Sequence, residues 1–178
     1  MSKLEQHLSQ YAAYHLDRKN IYTHFIGIPM IVLSIICLSA RASFTVASVE
    51  FNLALLILVV STLFYLSLDK IFAALMLLFF VVIYPFAAAI ADLPFWPWLL
   101  SSLSLFMVGW IFQFVGHLYE KKKPAFVDDV MGLAIGPLFV LAEAVFLLGF
   151  RKELEQRILQ EGKRQRALMD QKPILDHS

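Results

Sequence analysis

Charged residues are scarce in this sequence, and cysteine is almost absent. Only 16% of the 178 residues are charged and 60% are hydrophobic, whereas a soluble globular chain has about 25% charged residues and roughly half apolar ones. A soluble core of this size cannot bury that excess, so we expect much of the apolar surface to face lipid. The single cysteine, Cys37, excludes an intramolecular disulfide. Fifteen basic residues against fourteen acidic ones give no net charge that would favour nucleic acid.

The sequence also lacks the short motifs of several enzyme classes. It contains no Walker loop, no G-x-G-x-x-G, no G-x-S-x-G and no H-E-x-x-H. The HxxxH and HxxHH clusters of histidine-box desaturases are absent too, because the chain has only five scattered histidines: His7, His15, His24, His117 and His177.

Four apolar runs predict membrane-spanning helices, because a span needs about 20 mostly apolar residues. They cover residues 21–40, 51–68, 71–91 and 93–116. Only Asp69 and Lys70 separate the second run from the third, which predicts a tight antiparallel hairpin.

A fifth apolar segment, 130–150, is interrupted by Gly136-Pro137 and Glu143. A complete fifth span would send the basic tail to the side opposite the other lysines and arginines, against the positive-inside rule. An unpaired Glu143 at mid-membrane would also cost about 2.5–3.5 kcal/mol. We therefore expect a broken or re-entrant segment, hinged at Gly136-Pro137, that returns to the cytoplasmic face.

Both ends of the chain predict amphipathic helices. Leu4, Leu8, Tyr11, Ala12 and His15 recur at helical spacing within residues 1–19. The tail is a second charged amphipathic helix. The predicted fold is thus an all-α integral membrane bundle of about four full spans, a broken or re-entrant fifth segment and amphipathic terminal helices. We divide it into a membrane-embedded domain, 1–150, and a charged tail, 151–178.

Three of the histidines end on one membrane face if four segments span. His15 and His24 are nine residues apart, which places them on opposite faces of an unbroken helix. They can share an ion only if the backbone breaks between them, and we expect the break at Asp17 to Asn20, with Asn20 as the N-cap of the next helix. Together with His117 they predict a metal site, since imidazole binds zinc, iron, copper and nickel. A single interfacial histidine is more often structural, so that reading stays open for each alone.

Two acidic residues accompany these histidines. Glu120 follows His117 by three residues on the same helix face, where it can act as a fourth ligand or orient a ligand histidine. Glu143 is an ionisable group inside an apolar segment, which is itself a sign of function.

Three motifs together resemble a known family. They are Tyr14-His15 with Asn20-x-x-x-His24-x-x-Gly27-x-Pro29, then Gln113-Phe-x-Gly116-His117 with Glu120 and Lys122-Lys-Pro124-Ala125, and finally Pro137 with Glu143. Over residues 1–150 the chain resembles a multi-pass membrane family, formerly a domain of unknown function, whose characterised fungal member is a 2-hydroxy-fatty-acid dioxygenase.

The resemblance implies a membrane Fe(II)-dependent enzyme of fatty-acid α-oxidation, which uses O2 to shorten a 2-hydroxy fatty acid by one carbon. It implies that His15, His24 and His117 hold the iron, and we assign catalytic roles to Glu120 and Glu143. The expected partners are the 2-hydroxy fatty acid, O2 and membrane lipids, without nucleic acid. The expected location is the bacterial inner membrane, or the endoplasmic reticulum of a eukaryote, with the active site on the cytoplasmic face.

A second hypothesis is a non-catalytic small membrane transporter or lipid-binding scaffold built around Glu143 and the glycine-proline break. Bound iron would distinguish the enzyme from the scaffold.

Overall fold

The computed structural model describes residues 1–47 and 49–171, and His177 lies outside this part of the chain. The described residues form α-helices and one short β-hairpin. The elements are α1 Lys3–Ala12, α2 Arg18–Ala40, β1 Ser43–Val46, β2 Val49–Asn52, α3 Leu53–Leu68, α4 Lys70–Ala91, α5 Phe95–Glu120, a 3₁₀ turn Ala125–Val127, α6 Met131–Leu147 and α7 Lys152–Gln171. The prediction of a helical fold is confirmed, apart from the hairpin.

Three helices, α2, α4 and α5, are long and apolar enough to cross a membrane. The segment predicted as a second span is shorter than expected, because α3 has only 16 residues. Its first residues pair as β2 with β1 in an antiparallel hairpin. The Asn52 side chain then accepts a hydrogen bond from the Leu55 N–H at 2.9 Å, so α3 begins after the hairpin.

The α2 and α5 helices pack closely along small residues. A Cβ atom added to Gly27 or Gly109 would lie less than 3.0 Å from the backbone of the other helix. Farther along the same two helices, the Ser34 hydroxyl donates a hydrogen bond to the Ser102 carbonyl at 2.7 Å. Small residues permit this approach of two backbones in membrane bundles, and it brings two of the predicted site histidines onto facing helices.

The terminal helices α1 and α7 pack against each other at one end of the bundle. Leu4 and Leu8 of α1 are buried, as are Leu154 and Ile158 of α7. The amphipathic pattern predicted for both ends is therefore confirmed, with the apolar stripes facing each other and the bundle.

Residues on both sides of helix α6 contact that same end of the bundle. Asp128 accepts a hydrogen bond from the Tyr14 hydroxyl at 2.7 Å, and Arg151 pairs with Asp69 at 2.9 Å. The helix is continuous through Pro137, so the predicted break at Gly136-Pro137 is wrong. Pro137 removes one backbone N–H donor from the helix interior, yet α6 continues through it; in the preceding turn the Tyr65 hydroxyl donates to the Ala134 carbonyl at 2.8 Å.

Candidate metal centre

A short connector, residues 13–17, joins α1 to α2 and contains His15. The break between His15 and His24 thus exists, but it lies earlier than predicted. Asp17 is the N-cap of α2, since its carboxylate accepts a hydrogen bond from the Lys19 N–H at 2.7 Å. The expectation that Asn20 caps this helix is wrong, because Asn20 lies inside α2 and its buried amide contacts other groups.

The two histidines are held in matching tautomers by backbone carbonyls. His15 Nδ1 lies 2.7 Å from the Tyr11 carbonyl oxygen, and His24 Nδ1 lies 2.8 Å from the backbone carbonyl oxygen of Asn20. A carbonyl only accepts hydrogen bonds, so each Nδ1 bears the proton and each Nε2 presents a lone pair. The two Nε2 atoms are 3.0 Å apart. Two facing lone pairs at that distance repel each other unless they share a cation.

His117 of α5 supplies the third imidazole. Its ring centroid lies 4.9 Å from that of His15 and 5.3 Å from that of His24. One ring nitrogen from each histidine lies within 4.8 Å of the others. His117 Nδ1 is buried and has no hydrogen-bond partner among the described residues, and an unpaired buried polar atom of this kind points to a missing ligand.

The three imidazoles fit a metal ion. Their relative exposures are 2% for His15, 1% for His24 and 7% for His117. Metal-bound histidines almost always donate their other ring N–H to a carbonyl or carboxylate, as His15 and His24 do. At metal–nitrogen distances of 2.0–2.1 Å, two ligands at a right angle lie about 3 Å apart, which agrees with the observed Nε2 separation. Among the described residues, these three form the converging group of metal-ligand type.

The surroundings of His15 keep it neutral. Its ring stacks on Tyr11 with centroids 4.1 Å apart, and Phe139 lies 5.6 Å away. Burial, reinforced by the neighbouring His24, lowers the pKa of His15 well below its usual value. A neutral imidazole is the form that binds metals.

The Glu120 carboxylate lies beside this group and contacts the connector. Its Oε2 accepts hydrogen bonds from the Asp17 N–H at 2.8 Å and the Asn20 amide at 3.2 Å. Its Oε1 accepts one from Arg166 at 3.0 Å. Glu120 therefore braces the segment between His15 and His24, and its predicted catalytic role stays a prediction.

Glu143 lines a separate cavity of about 380 Å³ on the other side of His15. Arg18 and Lys163 line the same cavity, which gives it a mixed charge. Glu143 is half-buried there and does not belong to the three-histidine group. Its catalytic role also stays a prediction.

An apolar cleft of about 210 Å³ leads away from the other two histidines. His24 and His117 line one end, and Ile28, Ile31 and Ile35 line its length along α2. It adjoins a second apolar cavity of about 380 Å³, lined in part by the same Ile35. Single apolar positions on lipid-length helices give no sequence signal for such a cleft, and the sequence did not predict it.

Two of the three lysines in the loop after α5 form ion pairs. Lys122 pairs with Asp170 at 2.5 Å, and Lys123 with Asp128 at 2.6 Å.

The sequence did not predict that Arg166 contacts this site. The carbonyls of Tyr11 and Asn20, which orient the histidine rings, each lie four residues before a site histidine, and that spacing can be detected in a sequence.

Three buried histidines that could hold a metal ion thus converge, two of them beside an apolar cleft, in a chain with three helices long and apolar enough to cross a membrane. The model of the family described as "2-hydroxy-palmitic acid dioxygenase Mpo1-like" matches residues 1–148. The chain belongs to this Mpo1-like family, which confirms the resemblance. At the level of the family, the protein is an oxygenase. It is 34% identical over 155 residues to the 2-hydroxy-palmitic acid dioxygenase MPO1 of Saccharomyces cerevisiae, covering 85% of each chain. No solved structure matches the chain.

Proposed function

We propose that this protein is a membrane Fe(II)-dependent dioxygenase of fatty-acid α-oxidation. In the overall reaction a 2-hydroxy fatty acid and O2 yield the fatty acid one carbon shorter, carbon dioxide and water. The observation that supports this most directly is the pair of buried Nε2 atoms 3.0 Å apart, with tautomers fixed by two carbonyls. The family membership supports the reaction and the substrate class.

His15, His24 and His117 are the residues that would hold the ion. Imidazole suits iron among several transition metals, and O2 chemistry on a fatty acid favours iron. The chemistry that bound Fe(II) supplies at this site is the activation of O2. The protein's own part is to keep three imidazoles neutral, buried and close together.

The apolar cleft is the proposed site of the acyl chain. Ile35 follows His24 by eleven residues, so the cleft runs for about 16 Å along α2 at 1.5 Å per residue. An extended hexadecanoyl chain built from single bonds of about 1.5 Å is about 19 Å long. The cleft and the adjoining cavity together accommodate that length, with the 2-hydroxy carboxylate beside His24 and His117.

The location we propose is within a membrane, with the site on the cytoplasmic face. The helices α2 to α5 would cross it, including the shorter α3, and the continuous α6 would lie along the cytoplasmic end without crossing, since contacts tie both its flanks to the same end of the bundle. The basic residues of the amino terminus, of the loop after α5 and of α7 then share one side, in agreement with the positive-inside rule. A cleft open between apolar helices admits a fatty acid from the bilayer.

The two glutamates have different proposed roles. Glu143 faces the cavity that also reaches His15, where its carboxyl group would hold or move a proton at its oxygen during turnover. Glu120 would keep the connector in place through its bonds to Asp17 and Asn20.

The test uses the purified full chain in detergent, loaded with Fe(II) without oxygen. We expect O2 consumption with 2-hydroxyhexadecanoate and formation of pentadecanoate, identified by mass spectrometry. Alanine at His15, His24 or His117 weakens iron binding and abolishes product formation. His7→Ala is the matched control, because His7 lies on α1 outside the three-histidine group and keeps both.

Absence of iron in the wild-type protein, together with absence of turnover, would contradict the enzyme. It would favour a lipid-binding scaffold that uses the same cleft.

A further inference from the structure

We propose that α7, through Arg166, holds the connector in the position that lets His15 bind metal. Arg166 would then be a positioning residue located outside residues 1–148, the part of the chain that matches the family. This inference rests on the three-histidine site proposed above, and it makes α7 part of the working site.

Arg166 joins two segments that are far apart in sequence. Its Nη1 donates to the Ala13 carbonyl at 2.8 Å and to Glu120 Oε1 at 3.0 Å, and its Nη2 donates to the Glu120 carbonyl at 3.2 Å. Ala13 is the first residue of the connector and Glu120 the last of α5. One guanidinium thus fixes the connector to the helix that bears His117.

Glu120 extends the bracing to the other end of the connector. While one carboxylate oxygen binds Arg166, the other accepts the Asp17 N–H at 2.8 Å. Both ends of residues 13–17 are therefore held, with His15 at the centre. The same oxygen accepts the Asn20 amide, and the Asn20 carbonyl orients His24.

The burial of the pair makes the bracing rigid. The Arg166 side chain is 15% exposed and that of Glu120 only 3%. Loss of one partner leaves the other charge buried without a counter-ion, which is strongly unfavourable. The Glu120 carboxylate would then turn toward water and release the connector.

Close packing of α7 on α1 supports the same role. A Cβ atom added to Gly162 would lie 3.1 Å from Ala12 Cβ and 3.3 Å from the Ser9 carbonyl oxygen. The α7 backbone thus lies directly against the last turn of α1, where the connector begins. This packing fixes the position of Arg166 relative to the connector.

The test compares Arg166→Gln with Arg164→Gln in the full-length protein. Arg164 is two residues away, is 67% exposed and pairs with Glu161 within α7, so its loss leaves the site untouched. Metal affinity is measured without oxygen by titration with Fe²⁺ and with Co²⁺ as a spectroscopic probe. Removing groups that support metal ligands typically weakens binding 10- to 100-fold. We expect a loss of that size for Arg166→Gln and wild-type affinity for Arg164→Gln.

A second readout needs no metal. In the metal-free protein, Arg166→Gln should speed amide hydrogen exchange at Asp17 and the rest of the connector, while exchange in α3 and α4 stays unchanged, which also shows that the variant is folded. The double variant Arg166→Gln/Glu120→Gln should bind metal about as well as Glu120→Gln alone, because both changes break one network.

Wild-type metal affinity or unchanged connector exchange in Arg166→Gln would overturn the role of Arg166. Failure of the wild-type protein to bind either metal would instead contradict the proposed function, and the exchange experiment on metal-free protein would still decide whether Arg166 holds the connector. Arg166→Lys should restore part of the affinity, since lysine keeps the charge but lacks the planar fork.

Discussion

Replacing Gly116 by alanine is predicted to damage the metal site without changing any ligand. Gly116 precedes His117 on α5 and faces α2. An added Cβ atom would lie well under 3.0 Å from Thr23 Oγ1 and from Asn20 Oδ1, and 3.3 Å from the Asn20 carbonyl oxygen. That carbonyl is the one that orients His24, so the substitution acts on both helices of the site.

The size of the effect follows from this overlap. Ordinary van der Waals contact begins near 3.4 Å, so the Thr23 and Asn20 side chains must move by on the order of 1 Å, and the buried Asn20 amide is displaced from its contact with Glu120. Overpacking of a close interface typically costs about 1–3 kcal/mol. Because about 1.4 kcal/mol is a factor of ten in affinity, iron binding should weaken about 5- to 150-fold if the cost is felt in the metal-bound state.

The assay is an anaerobic Fe²⁺ titration of Gly116→Ala beside Leu118→Ala. Leu118 follows His117 on the same helix and is 76% exposed, so its truncation controls for a change next to the ligand. Leu118→Ala should bind as wild type does. Wild-type affinity in Gly116→Ala would refute the claim that close α2–α5 contact positions His24 and His117.

Three other substitutions probe separate parts of the protein. Ile35→Trp narrows the far end of the apolar cleft, and turnover measured on a series of chain lengths should shift toward shorter acids, by roughly fourfold per lost CH₂ at about 0.8 kcal/mol each; an unchanged preference would contradict the assignment of the cleft. Glu143→Gln should leave iron binding intact but lower kcat, and an unaltered kcat would exclude the proton-handling role. The hydrogen bond from Lys123, assisted by that from Tyr14, lowers the pKa of Asp128, so the folded state gains stability above the unfolded-state pKa of this group and loses it as pH falls through the depressed value. Asp128→Asn should therefore lower the melting temperature at neutral pH, with the difference from wild type vanishing in acid; an equal difference at all pH values would contradict this reasoning.

The histidine group was predictable because hydropathy and spacing are local signals. Runs of apolar residues placed His15, His24 and His117 at one end of the bundle, and the nine-residue separation required a break between the first two. The three do converge in the structure. Their role as iron ligands stays a prediction that the experiments above address.

The position of the break was not predictable, because two good capping residues compete. Asp17 and Asn20 both favour helix N-caps. Asp17 is the cap in the structure, while the Asn20 amide binds Glu120, which is 100 residues away in sequence. A contact over that distance leaves no local pattern.

The β-hairpin and the continuity of α6 were not predicted from the sequence, for related reasons. The segment 43–52 contains valines and phenylalanines, which suit a strand as well as the start of a membrane span. Only the presence of a pairing strand decides between the two. At Pro137 the helix continues although one backbone N–H donor is missing, and the contact of this turn with the Tyr65 hydroxyl comes from another helix. Arg166, 46 residues from Glu120 and 153 from Ala13, is likewise visible only in three dimensions.

X-ray absorption spectroscopy of the Fe(II)-loaded protein tests the central claim most directly. It reports how many imidazole nitrogens bind the ion. We expect scattering from three imidazoles in the wild-type protein and from two in His117→Ala. An iron spectrum without imidazole scattering, or one that His117→Ala leaves unchanged, would contradict the assignment of His15, His24 and His117 as the metal ligands.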